Sequence, residues 1–285
     1  MAQPTLLNRH SCCWILLLII TTISYSNAQD PSQKIVSRFI IIGDPGKLQN
    51  GRNAVVDAAS KYISPTDKKT TVLFLGDNIY PKGLPDEEDK TYQASATVLR
   101  TILSSFKDLE ANVYVVPGNH DWQKGGPDGW QSIKRQEQFV KDLHQSNTFF
   151  LPSAGCPGPQ EIIMNDSLMM IIMDTQWWLH VYDKPGIDND CDCKTEEDVM
   201  SRLRDIVFRN PRKRILFAAH HPLRSYGEHG GYYTLKQHIF PLTDLSKNAY
   251  VPLPVIGSLY PIVRGKFGNV EDLMHPVYRD LIERD

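Results

Sequence analysis

The feature that most constrains this chain is an apolar run that stops abruptly in a cluster of polar side chains. Val113, Tyr114, Val115 and Val116 form a short β-branched and aromatic run, the pattern of a buried strand, and Pro117-Gly118 breaks it. Asn119, His120 and Asp121 follow at once, setting an amide, an imidazole and a carboxylate just past the carboxyl end of a strand. That is where α/β sheets usually receive their ligands. The pattern recurs. The apolar run 35–42 stops at Gly43-Asp44-Pro45-Gly46, the run 71–75 at Gly76-Asp77-Asn78-Ile79-Tyr80, and the run 215–219 at His220-His221-Pro222. If these strands are parallel neighbours, their polar ends gather at one edge of a sheet.

Helical spacing between the strands supports that arrangement. Residues 52–63, 93–106 and 130–143 carry apolar side chains on one face, and a capping-box-like start at Thr195 to Asp198 opens another helix that ends before Pro211. A further apolar strand, 168–173, stops at Asp174. Alternating strands and helices imply an α/β domain with mostly parallel strands and no linker dividing it. Residues 230–268, rich in Tyr, Pro, Leu and Gly without clean periodicity, read as a long packed loop or lid, and 277–284 as a helix.

Composition narrows the function classes. A formal charge of -2 in 285 residues gives no basis for nucleic-acid binding. The basic cluster at Arg209, Arg212, Lys213 and Arg214 reads as a helix C-terminus. Arg9 and His10 precede an uncharged stretch centred on residues 14–20, and Ser26-Asn27-Ala28 then supplies small residues, the order of a secretory signal over 1–28 with cleavage near Ala28-Gln29. The apolar part is too short for a membrane span. A secreted protein with no stable membrane insertion after cleavage is expected, extracellular or periplasmic, with 29–285 as one domain. Export permits disulfides. Beyond the leader stand Cys156, Cys191 and Cys193. A Cys191–Cys193 bridge is unfavourable with one intervening residue. Cys156 is expected to bridge to one of them, with Cys193 as the working choice and Cys191 left open.

Carboxylate, amide, imidazole and phenol together suit hard or borderline divalent and trivalent metals. A carboxylate from a middle strand could bridge two ions. On these residues the chain resembles the calcineurin-like metallophosphoesterases. Gly43-Asp44-x-Gly46, Gly76-Asp77-Asn78-x-Tyr80, Gly118-Asn119-His120-Asp121 and Phe217-x-x-His220 stand in that family's order and approximate spacing. Tyr80 and the later Glu228-His229-Gly230 are similar to the small, tartrate-resistant type of purple acid phosphatase. The resemblance covers residues 35–230.

It implies an α/β/β/α sandwich with mixed, partly parallel sheets, and a secreted hydrolase acting on small phosphomonoesters by a metal-bound hydroxide. By the same resemblance, Asp44, Asp77 and Tyr80 would hold Fe(III), with Asp77 bridging. Asn119 and His220 would hold Fe(II), Zn or Mn. His120 would hydrogen-bond the phosphate, and His229, oriented by Glu228, would protonate the leaving group. Asp121 is expected to stabilise its loop or orient His120, and His221 to be structural or to face substrate. Trp177, Trp178 and His180 are expected in the core. The family's final Gly-His-x-His has no counterpart in the sequence. The expectation is a C-terminally incomplete domain that lacks the closing strands, with each ion one histidine short, weak metal binding and impaired activity. The alternatives are a metal-poor binding protein on the same scaffold, or a phosphodiesterase or nucleotidase.

Overall fold

The computed structural model describes residues 35–63, 69–243, 246–267, 275–276 and 278–279. The expected leader, 1–28, lies outside them, and so does most of the expected helix at 277–284. No helix among the described residues is long and apolar enough to cross a membrane.

Two sheets form the centre. The first is four-stranded and wholly parallel, in the order β1 (Arg38–Ile42), β2 (Thr70–Leu75), β3 (Ala111–Val116), β4 (Thr148–Phe150). The second is three-stranded, with β5 (Gln160–Asn165) antiparallel to β6 (Leu168–Ile172) and β6 parallel to β7 (Arg214–Ala218). Parallel strands are covered on both faces, so they read as continuous apolar runs. The strand period of two then divides the core. Leu73, Tyr114 and Val116 of the first sheet meet Met170, Ile172 and Ala218 of the second in one cluster between the sheets. The alternate residues Val72, Phe74, Val113 and Val115 turn outward to the helix side.

Helices close both outer faces: α1 (Ala54–Ser60), α2 (Tyr92–Ser104) and α3 (Gly129–Asp142) come from the first half of the chain, α4 (Thr175–Leu179) and α5 (Glu196–Arg209) from the second. Leu99, Ile102 and Leu103 of α2 are fully buried, and Phe106 just beyond it meets Phe74 edge-on at 5.6 Å. Val199 and Ile206 of α5 share a cluster with Met169 and Ile171. Each fully buried aliphatic side chain contributes about 1.5–3 kcal/mol relative to exposure. Asn53 caps α1 by accepting from Val55 and Val56 N–H, both at 3.1 Å. Thr195 and Asp198 form a reciprocal capping box on α5, as the sequence indicated. The result is the expected α/β/β/α sandwich.

Three expectations change. β1 begins at Arg38, later than its apolar run suggested. Residues 230–268 are not one loop: they hold α6 (Leu235–Ile239), capped by Thr234, and α7 (Leu259–Phe267). The disulfide joins Cys156 to Cys191, with a Cα–Cα distance of 5.6 Å, and not to Cys193. Cys193 is buried in the hydrophobic cluster that contains Trp177 and Val199, where the free thiol packs as a small apolar group.

Candidate metal centre

Three close backbone approaches set the geometry of the site. Gly46 N–H donates to Asp77 O, and Tyr80 N–H donates to Gly46 O, each at 2.9 Å. A Cβ at Gly46 would lie 2.5 Å from Asp77 O and 2.6 Å from Ile79 N, so only glycine lets the turns after β1 and β2 touch. Gly76 has φ +89, and a Cβ there would meet the His220 ring at 2.5 Å. A Cβ on Gly118 would meet Asp77 N and Oδ1, both at 2.5 Å. Gly46, Gly76 and Gly118 are therefore packing requirements among three loops. Asp44 and Asp77 themselves sit at φ 54 and 56, a left-handed backbone uncommon outside glycine.

The five residues expected to bind metal converge. Asp44, Asp77 and His220 each offer a donor atom, all within 4.8 Å of one another. Tyr80 OH donates to Asp77 Oδ2 at 2.7 Å, and His120 backbone N–H donates to Asp77 Oδ1 at 3.0 Å. His220 Nδ1 lies 2.7 Å from Leu75 O and donates there, which fixes Nε2 as the acceptor nitrogen. Nε2 then faces Asn119 Oδ1 at 3.1 Å and Asp77 Oδ1 at 3.5 Å. Lone pairs aimed at one another in this way suit a cation among them. Without one, burial pushes the Asp44 carboxyl above its usual range, against the pull of His220. Burial and the Asp77 hydrogen bond likewise push the Tyr80 phenol well up. A bound cation would reverse both pressures. The donor set therefore fits a metal.

Asp121 does not orient His120. Its buried carboxylate accepts from Gly118 N at 2.8 Å, Asn78 N at 3.1 Å and Asn78 Nδ2 at 3.0 Å, stapling the loops after β2 and β3 together. Burial, with the nearby Asp77 charge, lifts its carboxyl to about 8. His120 is oriented instead by Pro81 O, 2.6 Å from Nδ1, and its ring meets Tyr80 edge-on at 4.4 Å. His120 Nε2 is thereby left toward Asp77 Oδ2, 3.9 Å away.

His221 is buried on the wall of the site. Thr175 Oγ1 accepts from His221 N–H at 3.2 Å and lies 2.8 Å from Nδ1. Burial and the flanking His220 and His229 hold this imidazole well below its usual range, so it stays neutral. His229 is exposed on the rim, in the short turn Glu228–Gly230. The Glu228 side chain lies outside the described structure. Trp177, Trp178 and His180 are buried in the core, as expected.

The candidate residues open onto a cleft of about 620 Å³ whose lining includes Asp44, Asp77, Tyr80, Asn119, His120, His220, His221 and His229. Sequence reading missed Lys124, Ser225, Arg264 and Tyr278, which share that lining, and Thr175 behind it. Lys124 sits beside the Asn119 motif, so proximity could have flagged it. Arg264 comes from α7, and no local pattern points to it.

Residues 37–248 match the family model described as Calcineurin-like phosphoesterase. The chain is 26% identical over 246 residues to purple acid phosphatase 17 of Arabidopsis thaliana, covering 80% of this chain and 66% of that protein. It is 24% identical over 236 residues to tartrate-resistant acid phosphatase type 5 of Homo sapiens, covering 80% of this chain and 69% of that one. Purple acid phosphatase 3 of Arabidopsis thaliana matches at 24% over 221 residues, 73% of this chain and 54% of its own length. The chain thus spans between about half and two thirds of the length of these relatives.

Proposed function

We propose that this chain, which belongs to the calcineurin-like phosphoesterase family, hydrolyses small phosphomonoesters at a dinuclear metal centre held by Asp44, Asp77, Tyr80, Asn119 and His220. The observation that carries the proposal is the convergence of Asp44, Asp77 and His220 donors within 4.8 Å, with Tyr80 on Asp77 and Asn119 on His220. Carboxylates, a phenol, an amide and an imidazole suit Fe(III) beside Fe(II), Zn or Mn. When bound, such a pair lowers the pKa of water and neutralises phosphoryl charge.

The chain's own residues do the rest. Asp77, the most buried of the five, accepts from Tyr80 OH on Oδ2 and has Oδ1 3.5 Å from His220 Nε2, which supports a shared role for it in holding the metals. Burial and the Asp77 carboxylate oppose a Tyr80 phenolate, so Tyr80 would release its proton to solvent only with a cation on its oxygen. His120 donates from Nδ1 to Pro81 O, so its Nε2 would donate to a phosphate oxygen as the doubly protonated imidazolium. His229 lines the rim of the cleft and would give a proton to the departing alkoxide, with Glu228 beside it in sequence. Secretion through the leader at 1–28 belongs to the same reading, and the Cys156–Cys191 disulfide supports an oxidising compartment.

The test is the rate on p-nitrophenyl phosphate and on bis(p-nitrophenyl) phosphate for the metal-loaded chain. The monoester is expected to be cleaved faster, with Asp77→Ala and His220→Ala each losing about a hundredfold or more. Faster cleavage of the diester would make the protein a phosphodiesterase. Metal bound without hydrolysis of either would make it a binding protein.

A further inference from the structure

Beyond the five metal-binding candidates, the cleft carries two cations that the reaction does not use. Lys124 and Arg264 line the same cavity as Asp44, Asp77 and His229. They arrive from unrelated parts of the fold. Lys124 follows the Asn119 loop, and Arg264 stands on α7, where its guanidinium lies 5.8 Å from the centre of the Tyr233 ring.

The Lys124 turn is built, not incidental. Gln123, Lys124 and Gly125 run at φ 54, 55 and 70, three successive left-handed residues of which only one is glycine. Non-glycine residues hold that backbone only when their surroundings enforce it, and such strain gathers at functional sites. The enforcement is visible. Lys124 N–H donates to Asn119 O at 2.8 Å, Gly125 N–H to Trp122 O at 3.1 Å, and Gln123 Nε2 to Asp128 Oδ2 at 2.9 Å. Arg135 also pairs with Asp128. The lysine is thus tied by its backbone to a proposed metal-binding residue while its exposed side chain borders the cleft. Among the described residues, its ammonium makes no hydrogen bond or ion pair, whereas Arg52, Lys141, Arg202 and Arg209 all pair with carboxylates.

In the proposed reaction the cleft walls contribute His120 and His229 to the phosphate and its leaving group. Two further cations on one cleft suit a second negative charge on the same substrate. Resting on the phosphoester-hydrolase reading, we propose that Lys124 and Arg264 form a second anion subsite, so that the preferred substrates are phosphoesters carrying a further anionic group on the leaving side. Phosphate and carboxylate share this chemistry. A long lysine ammonium reaches either, and a guanidinium can grip either in a bidentate fashion.

The test uses the metal-loaded full chain and non-hydrolysable probes, read by calorimetric titration. Methylphosphonate carries one anionic group, phosphonoacetate adds a carboxylate, and methylenediphosphonate adds a second phosphonate. Wild type is expected to bind at least one doubly anionic probe more tightly than methylphosphonate. The preferred probe identifies which second group the subsite takes. Lys124→Asn, neutral and compatible with the left-handed backbone, is expected to cut that preference about fivefold, the range of an exposed ion pair, and Arg264→Gln to do the same. Lys124→Arg should keep most of it. Added salt should erode the preference more than the binding of methylphosphonate. Equal affinity of wild type for all three probes, or an unchanged preference in both neutral variants, would overturn the subsite while leaving the hydrolase reading intact. Failure of the metal-loaded chain to bind any of the probes would overturn both.

Discussion

The contact between the loops after β1 and β2 offers a sharp test, because the chain contains its own control. Gly46→Ala would put a methyl 2.5 Å from Asp77 O, 2.6 Å from Ile79 N and 2.7 Å from Asn78 C. All three are backbone atoms, so no side chain can swing away, and the loops must separate. Separation weakens two hydrogen bonds, Gly46 N–H to Asp77 O and Tyr80 N–H to Gly46 O. Overpacking of this kind costs about 1–3 kcal/mol, and each net hydrogen bond about 1 kcal/mol, giving roughly 2–4 kcal/mol once their overlap is allowed for. For a domain of this size that is a fall in Tm of roughly 5–15 °C. The same movement drags Asp77 from Asp44, and misplacing a catalytic group by about 1 Å can cost on the order of a hundredfold in rate. At Gly43, just before Asp44, an added methyl would meet nothing within 4 Å. Gly43→Ala should therefore stay within about 0.5 kcal/mol of wild type. Thermal melts of the two variants, with bound metal measured in parallel, decide the matter. A Gly46→Ala protein that melts like wild type, or a Gly43→Ala protein that falls as far, would refute the reasoning.

Other perturbations probe the scaffold. Replacing Cys156 and Cys191 by serine opens a loop of sequence separation 35, and chain entropy sets the loss at about 3–4 kcal/mol, measurable by urea unfolding. Peptide mapping should recover the Cys156–Cys191 bridge, with Cys193 labelled by thiol reagents only after unfolding. His180 is buried against Trp122, neither ring nitrogen has a partner, and burial lowers its pKa to about 4. The unfolded imidazole titrates near 6.5, so the folded protein resists protonation between those values and loses stability as pH falls from about 6.5 toward about 4. His180→Phe should flatten that part of the stability profile; an unchanged slope would mean that other groups set it.

The strand ends were legible because two signals coincide in them. An apolar run marks each buried parallel strand, and in the turns after β1, β2 and β3 a glycine meets a steric need beside the chemical one of its polar neighbour. The glycines at 46, 76 and 118 are where a methyl would strike another loop, so motif and packing are the same fact. What escaped had weaker local cause. β4 is three residues long, and α4 is five residues with two tryptophans and no room for periodicity. β5 takes its place from pairing with β6, and its residues 160–165 follow a Pro/Gly-rich stretch that reads as loop. Cys191 and Cys193 stand two apart, so only the three-dimensional path of 175–195 decides which reaches Cys156. Arg264 reaches the cleft through tertiary packing of α7, and Asp121 could be assigned to loop stapling only once Asn78 was seen beside it.

The central claim, that Asp44, Asp77, Tyr80, Asn119 and His220 together hold a metal pair with Tyr80 on a ferric ion, is tested most directly by metal content and visible absorption of the protein purified with iron. The account predicts bound iron with a second metal, a tyrosinate charge-transfer band in the oxidised form, loss of that band in Tyr80→Phe, and loss of metal in Asp77→Ala. Protein that binds no metal, or a band that survives Tyr80→Phe, would contradict it.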